Sequence, residues 1–162
     1  MNIESKNGIS GAGLWGLLIL RILIGWHFLY EGMVKLVNPD WSSVGFLLDS
    51  QGLFSKVFIS MASNPGLLRI IDLLNTWGLI LVGLALILGV LNRVATWGGI
   101  ALLALYFLSH PPMVGLKFSA PSEGSYLWVN KNLIEMAALY VIYLFPTSHL
   151  IGIDRLIYRR KV

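Results

Sequence analysis

The sequence predicts an all-α fold: an integral membrane four-helix bundle with an amphipathic segment in the long loop between helices one and two. Three observations predict it. First, 56% of the 162 residues are hydrophobic and only 12% are charged, where a soluble domain carries roughly 25% charged residues. Too few polar side chains remain to clothe a water-facing surface, so most of that surface must face a solvent as apolar as itself, and the bilayer is that solvent. Second, four segments are apolar for about the length a bilayer requires. Third, the ionisable residues inside those segments recur at helical spacing. Cysteine is absent, which excludes disulfides, thiolate metal sites and thiol redox chemistry on this chain. The formal charge of +4 belongs to basic residues that are scattered or terminal, so it reads as a topology signal and not as a nucleic-acid surface.

The spans are expected over residues 14–37, 70–91, 94–109 and 126–145, since a helix crosses the hydrocarbon core in roughly 20 residues. The first is not expected to be a cleavable signal peptide: no basic cluster precedes it and no small-residue cleavage site follows. The loop at 38–69 holds Phe54, Val57, Phe58 and Met61 at helical spacing, which predicts a short amphipathic helix on the membrane or over the bundle. Asn92-Arg93 reads as a tight turn, and Pro111-Pro112 stops the third helix. The whole of 1–162 reads as one domain. Lys6, Arg93, Arg155, Arg159, Arg160 and Lys161 share one side of an even number of spans, which makes that side, with both termini, cytoplasmic in a bacterial inner membrane. Lys56 and Lys117, offset by Asp40, Asp49 and Glu123, face outward, and Tyr158 fits an interfacial anchor.

Charges inside a span are costly and therefore informative. His27, Glu31 and Lys35 follow at i, i+4, i+8 on one face of the first helix, beside Gly25 and Gly32, which permit close approach. Arg21 is the deepest charge; it either binds an anionic group or pairs internally with a carboxylate. Asp72, Asn75 and Trp77 open the second helix, Tyr106 and His110 close the third, and Asn130, Lys131, Asn132 and Glu135 open the fourth. In an alternating bundle these ends converge near one membrane surface. If helices one and four are in register, Lys35 and Lys131 share a level, with Glu31 and Glu135 a turn deeper, and two such carboxylates can handle a proton. The structural reading stands beside this: ion pairs that hold helices together and lysines that snorkel to headgroups. His27 and Glu31 have the spacing of a metal pair, with His110 as a third ligand, but imidazoles at different depths do not favour a metal or haem. Trp15, Trp41, Trp77, Trp97, Tyr126 and Trp128 read as the interfacial belt, with flanking a quinone ring as the second reading for those beside the outer cluster.

Arg21-Ile-Leu-Ile-Gly25, Phe28-Leu-Tyr-Glu31-Gly32 and Lys35-Leu36 resemble the first helix of the DoxX/DoxD-like membrane proteins, with a spacing to Trp41 similar to the DoxD branch. Trp77-Gly78, Gly83, Leu88-Gly89 and Asn92-Arg93 resemble that family's second hairpin, and Asn132-Leu-Ile-Glu135 its fourth helix. The resemblance implies a four-helix membrane protein of redox metabolism, in the DoxD branch a subunit of thiosulfate:quinone oxidoreductase.

The expected function is a quinone-associated oxidoreductase subunit. Glu31, Lys35, Glu135 and His110 are its catalytic candidates around an outward-opening pocket. His27, Arg21, Asp72, Asn75, Trp77, Tyr106, Lys131 and Asn132 are expected to bind the quinone. The expected partners are membrane lipids, a redox subunit on the outer face and a second copy of the chain. The alternative is a non-catalytic scaffold or assembly subunit; a small transporter or proton channel is a third reading.

Overall fold

A computed structural model describes residues 10–116, 118–119 and 127–158. Lys6, Lys117, Glu123, Tyr126, Arg159, Arg160 and Lys161 lie outside the described residues, as does the side chain of Tyr158. Every regular element among the described residues is helical: α1 (Gly11–Val37), α2 (Val44–Leu48), α3 (Ser55–Ala62), α4 (Pro65–Leu88), α5 (Asn92–Ser109), α6 (Lys131–Leu144), a 3-10 turn (Thr147–His149) and α7 (Asp154–Tyr158).

Ser10 caps α1, accepting from the Gly13 amide at 3.2 Å and satisfying one of the first turn's free donors. The buried positions Leu14, Leu18, Arg21, Gly25, Phe28 and Gly32 alternate three and four residues apart, the stripe by which a helix meets a neighbour. That neighbour is α4. A Cβ placed on Gly83 would stand 2.5 Å from the Leu29 amide nitrogen and 2.7 Å from the Gly25 carbonyl oxygen, so the two backbones touch where the glycines cross. Helices α1, α4, α5 and α6 pack in sequence and α6 returns to α1. Ile24, Phe28, Leu79, Val82, Leu86, Leu103, Leu139 and Ile142 fill the centre.

Two helices, α1 with 27 residues and α4 with 24, are long and apolar enough to cross a membrane. Only 33% of each apolar window is buried inside the protein. The remaining apolar surface, including Trp15, Leu23, Trp26, Leu74 and Leu81, faces outward, which a soluble core helix does not do. The helices α5 and α6 are shorter, at 18 and 14 residues.

Several boundaries differ from the sequence expectation, each for a local reason. The second long helix begins at Pro65 and not near residue 70, because Asn64 caps it, accepting from Gly66 and Leu67, and proline suits the first helical position. Asn92 and Arg93 belong to the first turn of α5. The reversal is made by Gly89, left-handed at φ 63°, with Val90 and Leu91, as helix ends commonly require. Asp154 supplies the missing cap of α5, accepting from the Leu91 and Asn92 amides at 2.9 and 3.3 Å. The last long helix starts at Lys131, capped by Asn130. In the 38–69 connection, α3 buries Phe58 and Ala62 against Leu47 of α2 and against Leu68 and Ile71 of α4, whereas Phe54 and Val57 stay exposed.

Candidate functional site

At the end of the bundle that carries Lys35, a pocket of about 350 Å³ opens between α1, α4, α5 and α6, within the size range of small-molecule sites. Phe28 of α1, Leu79 of α4 and Leu103 of α5 make an apolar floor, and Trp41, Ser42, Ser43 and Phe46 cover it. His27 meets Glu135 across the α1–α6 gap, Nδ1 lying 2.8 and 3.1 Å from the two carboxylate oxygens. A carboxylate only accepts, so Nδ1 carries the hydrogen and Nε2 is left as the basic nitrogen. One turn on, the Lys35 ammonium donates to the Glu31 carboxylate at 2.9 Å and to its backbone carbonyl at 3.3 Å, while lying 5.4 Å from the centre of the Trp41 ring. Tyr106 donates to the Asn75 side-chain oxygen at 3.1 Å. Lys131 and Asn132 complete the rim.

The register of α1 against α6 departs from the sequence expectation. Glu135 stands opposite His27, not beside Glu31, and Lys131 is close enough to act on both Glu31 and His27. Glu31 is partnered by Lys35 and Glu135 by His27, so each carboxylate faces a basic group. Such pairing offsets the repulsion that two carboxylates would carry at low dielectric.

The pattern that defines the DoxX family matches residues 16–111. The chain belongs to the DoxX family. No curated protein and no solved structure matches it. Membership and the two apolar helices together make it a membrane protein. The matched residues carry His27, Glu31 and Lys35 of α1, Asn75 and Tyr106 of this DoxX protein; the α6 side of its pocket, Lys131 and Asn132, and Glu135, the partner of His27, lie beyond them.

Of the residues expected at the site, Glu135 does not line the pocket and reaches it only through His27, and four more lie elsewhere. Asp72 accepts from the Ser42 hydroxyl and from both the amide and the hydroxyl of Ser43, so it fixes the segment that roofs the pocket and does not line it. Trp77 is exposed on α4, facing a neighbouring groove. His110 lies across Phe46 from the pocket, stacked on that ring at 4.0 Å and against Phe118 at 4.5 Å, with Nε2 3.7 Å from Asp49. Burial pushes the His110 pKa down more than Asp49 raises it. Arg21 is at the opposite end of the bundle, 2% exposed, donating to the Thr147 hydroxyl at 2.9 Å and the Ile151 carbonyl at 2.8 Å. It holds the C-terminal segment, and its observed partners are a hydroxyl and a backbone carbonyl, not the carboxylate that one of the two sequence alternatives expected.

The sequence reading placed Trp41 in the interfacial belt and passed over Ser42, Ser43, Phe46, Phe28, Leu79 and Leu103. The first four of these seven sit in or beside a loop without periodicity, and the others are ordinary core residues in spacing and type. The one available signal was Asp72, a charge near a helix start that required partners.

Proposed function

We propose that the pocket binds a quinone and that this DoxX protein is a quinone-linked oxidoreductase subunit, similar to the DoxD branch. In this reading α5 and α6 also cross the membrane, giving a four-helix membrane bundle in a bacterial inner membrane. Both termini are cytoplasmic, the pocket opens outward, and a redox partner docks on the outer face. The observation that carries the reading is one apolar-walled cavity lined by His27, itself bonded to Glu135, and by the Glu31–Lys35 pair. A site that only held helices together would have no reason to leave a cavity of this size between them.

The cavity fits the group. Phe28, Phe46, Leu79 and Leu103 offer surfaces for a flat ring, and polar groups stand at its edges to meet ring oxygens. A bound quinone supplies the two-electron, two-proton chemistry that no side chain here provides. The protein's part is to hold protons and charge. His27 keeps its Nδ1 hydrogen on Glu135 and exchanges a proton at Nε2. Glu31 and Lys35, bonded to each other, form a second exchangeable pair nearer the mouth. Lys35 and Lys131 bring positive charge to the pocket, where negative charge developing on an oxygen is stabilised. Tyr106, anchored by Asn75, orients the ring, and Trp41 with Ser42 and Ser43 keeps bulk water from the floor.

Mass spectrometry of lipid extracted from gently purified, folded protein tests this. Quinone retained in near-stoichiometric amount is expected, and its loss on Glu135→Gln ties it to the pocket. Folded protein without quinone, which also fails to bind added quinone, overturns the reading and leaves the scaffold alternative.

A further inference from the structure

The wall of the pocket at Lys35 and Trp41 is one side chain thick. On its far side the same two residues line a second depression of about 500 Å³, between the ends of α1 and α4. That groove has an apolar floor of Leu36, Ile70, Leu73 and Trp77, all exposed, and Arg69 at its rim. The partition is fixed at both edges. Lys35 is held by Glu31 and lies against the Trp41 ring, and Asp72, facing the groove, clamps Ser42 and Ser43 next to Trp41. On its α6 side the pocket opens between half-exposed His27 and Glu31 side chains, a passage edged by charge. An apolar chain leaving the pocket there would desolvate charged groups, whereas the groove offers it a floor of hydrocarbon and indole surface between polar edges at Arg69 and Asp72. Both helices that form the groove are long and apolar enough to cross a membrane, so it lies open to lipid.

We propose that the pocket's ligand is an amphiphile: its polar ring lies among His27, Glu31 and Tyr106, and its apolar chain passes Trp41 into the α1–α4 groove, over Ile70 and Leu73. The inference rests on the reading of the pocket as a quinone site and adds the ligand's second half and its exit. It makes Trp41 the residue at which ring and chain divide, and it makes a long-chain quinone, not a water-soluble redox molecule, the substrate class.

The full chain in phosphatidylcholine nanodiscs is titrated with two probes that share one ring, 2,3-dimethoxy-5-methylbenzoquinone and its decyl-chain homologue. The readout is the ratio of the two affinities, in which membrane partitioning is common to every variant. In Ile70→Ser/Leu73→Ser the chain's advantage is expected to fall about tenfold, as the loss of two large apolar contacts implies. Ile134→Ser, on the exposed face of α6, is expected to leave the ratio as in the wild type. An unchanged ratio in the groove variant, or an equal fall in the α6 variant, overturns the proposed exit while leaving the ring site intact. Failure of the wild-type protein to bind either probe overturns the quinone reading itself.

Discussion

His27 and His110 both lie near carboxylates but are placed for different work, and single substitutions separate them. His27 lines the pocket and faces Glu135 at hydrogen-bond distance, so Glu135→Gln keeps an acceptor for Nδ1 and removes the charge. Its expected effect is a fall of about tenfold or more in affinity for the ring probe, the worth of a charge-assisted hydrogen bond, with folding intact by circular dichroism. An equal loss from Glu31→Gln and Glu135→Gln in melting temperature, without a change in binding, would instead mark both pairs as helix ties. His110 is enclosed by Phe46 and Phe118, 3.7 Å from Asp49, and burial holds its pKa below the ordinary value. Above about pH 6.5 the imidazole is neutral in both folded and unfolded chains and adds no pH dependence. As pH falls below that value the unfolded chain takes up the proton first, so stability declines until the folded imidazole titrates as well. Melting temperatures of wild type and His110→Phe, which keeps the stack, should therefore diverge between pH 7 and 5, with the wild type falling more. Parallel curves would show that His110 is not held neutral.

At the scale of elements, the crossing of α1 and α4 is decided by backbone contact. Gly83→Ala sets a methyl 2.5 Å from the Leu29 nitrogen, and neither backbone can yield without parting the helices. The expected cost is about 1–3 kcal/mol, the usual range for overpacking, read as a lower melting temperature in detergent. Gly16→Ala on α1, with nothing within 4 Å of the added carbon, should be neutral or stabilising by up to about 1 kcal/mol from helix propensity. If both variants behave alike, the crossing is looser than its geometry shows. The existence of these helices was legible in the sequence because their apolar runs are long, and so was the close-contact face at Gly25 and Gly32. Their limits were less so. Where a helix starts depends on caps, and one cap, Asp154 on the α5 amides, comes from a residue 63 positions away from Leu91. The convergence of α1, α4, α5 and α6 on a polar pocket followed from alternating direction alone. The one-turn register between α1 and α6 did not, because it is set by side chains meeting across the gap, His27 with Glu135, and nothing along either helix specifies that choice. The roof at Trp41, Ser42 and Ser43 was illegible for the same reason: its position depends on Asp72, about 30 residues further along the chain.

Across the whole molecule, charge is divided between two ends with opposite tasks. One end gathers His27, Glu31, Lys35 and Lys131 around an open pocket, with Glu135 bonded to His27; the other encloses Arg21, 2% exposed, against Thr147 and Ile151. Gly89 and Gly152 meet there so tightly that a Cβ on Gly152 would stand 2.9 Å from the Gly89 carbonyl oxygen, and the Asp154 amide donates to that same oxygen at 2.9 Å. Arg21 and Asp154 thus tie the first helix and the C-terminal segment to the α4–α5 turn, closing the chain on itself. The charge of Asp154 acts on Arg21, and its carboxylate also caps α5, so its removal has two consequences that a double-substitution cycle separates. Asp154→Ala loses the cap, about 1 kcal/mol, and removes the carboxylate charge that acts on the buried Arg21 guanidinium, so its loss should exceed that of the cap alone. Arg21→Met removes that orphaned charge while filling similar volume. In the Arg21→Met/Asp154→Ala protein only the cap and the Arg21 hydrogen bonds remain lost, so the double variant should melt well above the temperature that the sum of the single losses implies. Strict additivity would mean that the two charges do not sense each other, and that Arg21 is retained for its bonds to Thr147 and Ile151 alone. Neither outcome should alter quinone-probe affinity by more than about twofold, since sites this far apart with no shared partners act independently.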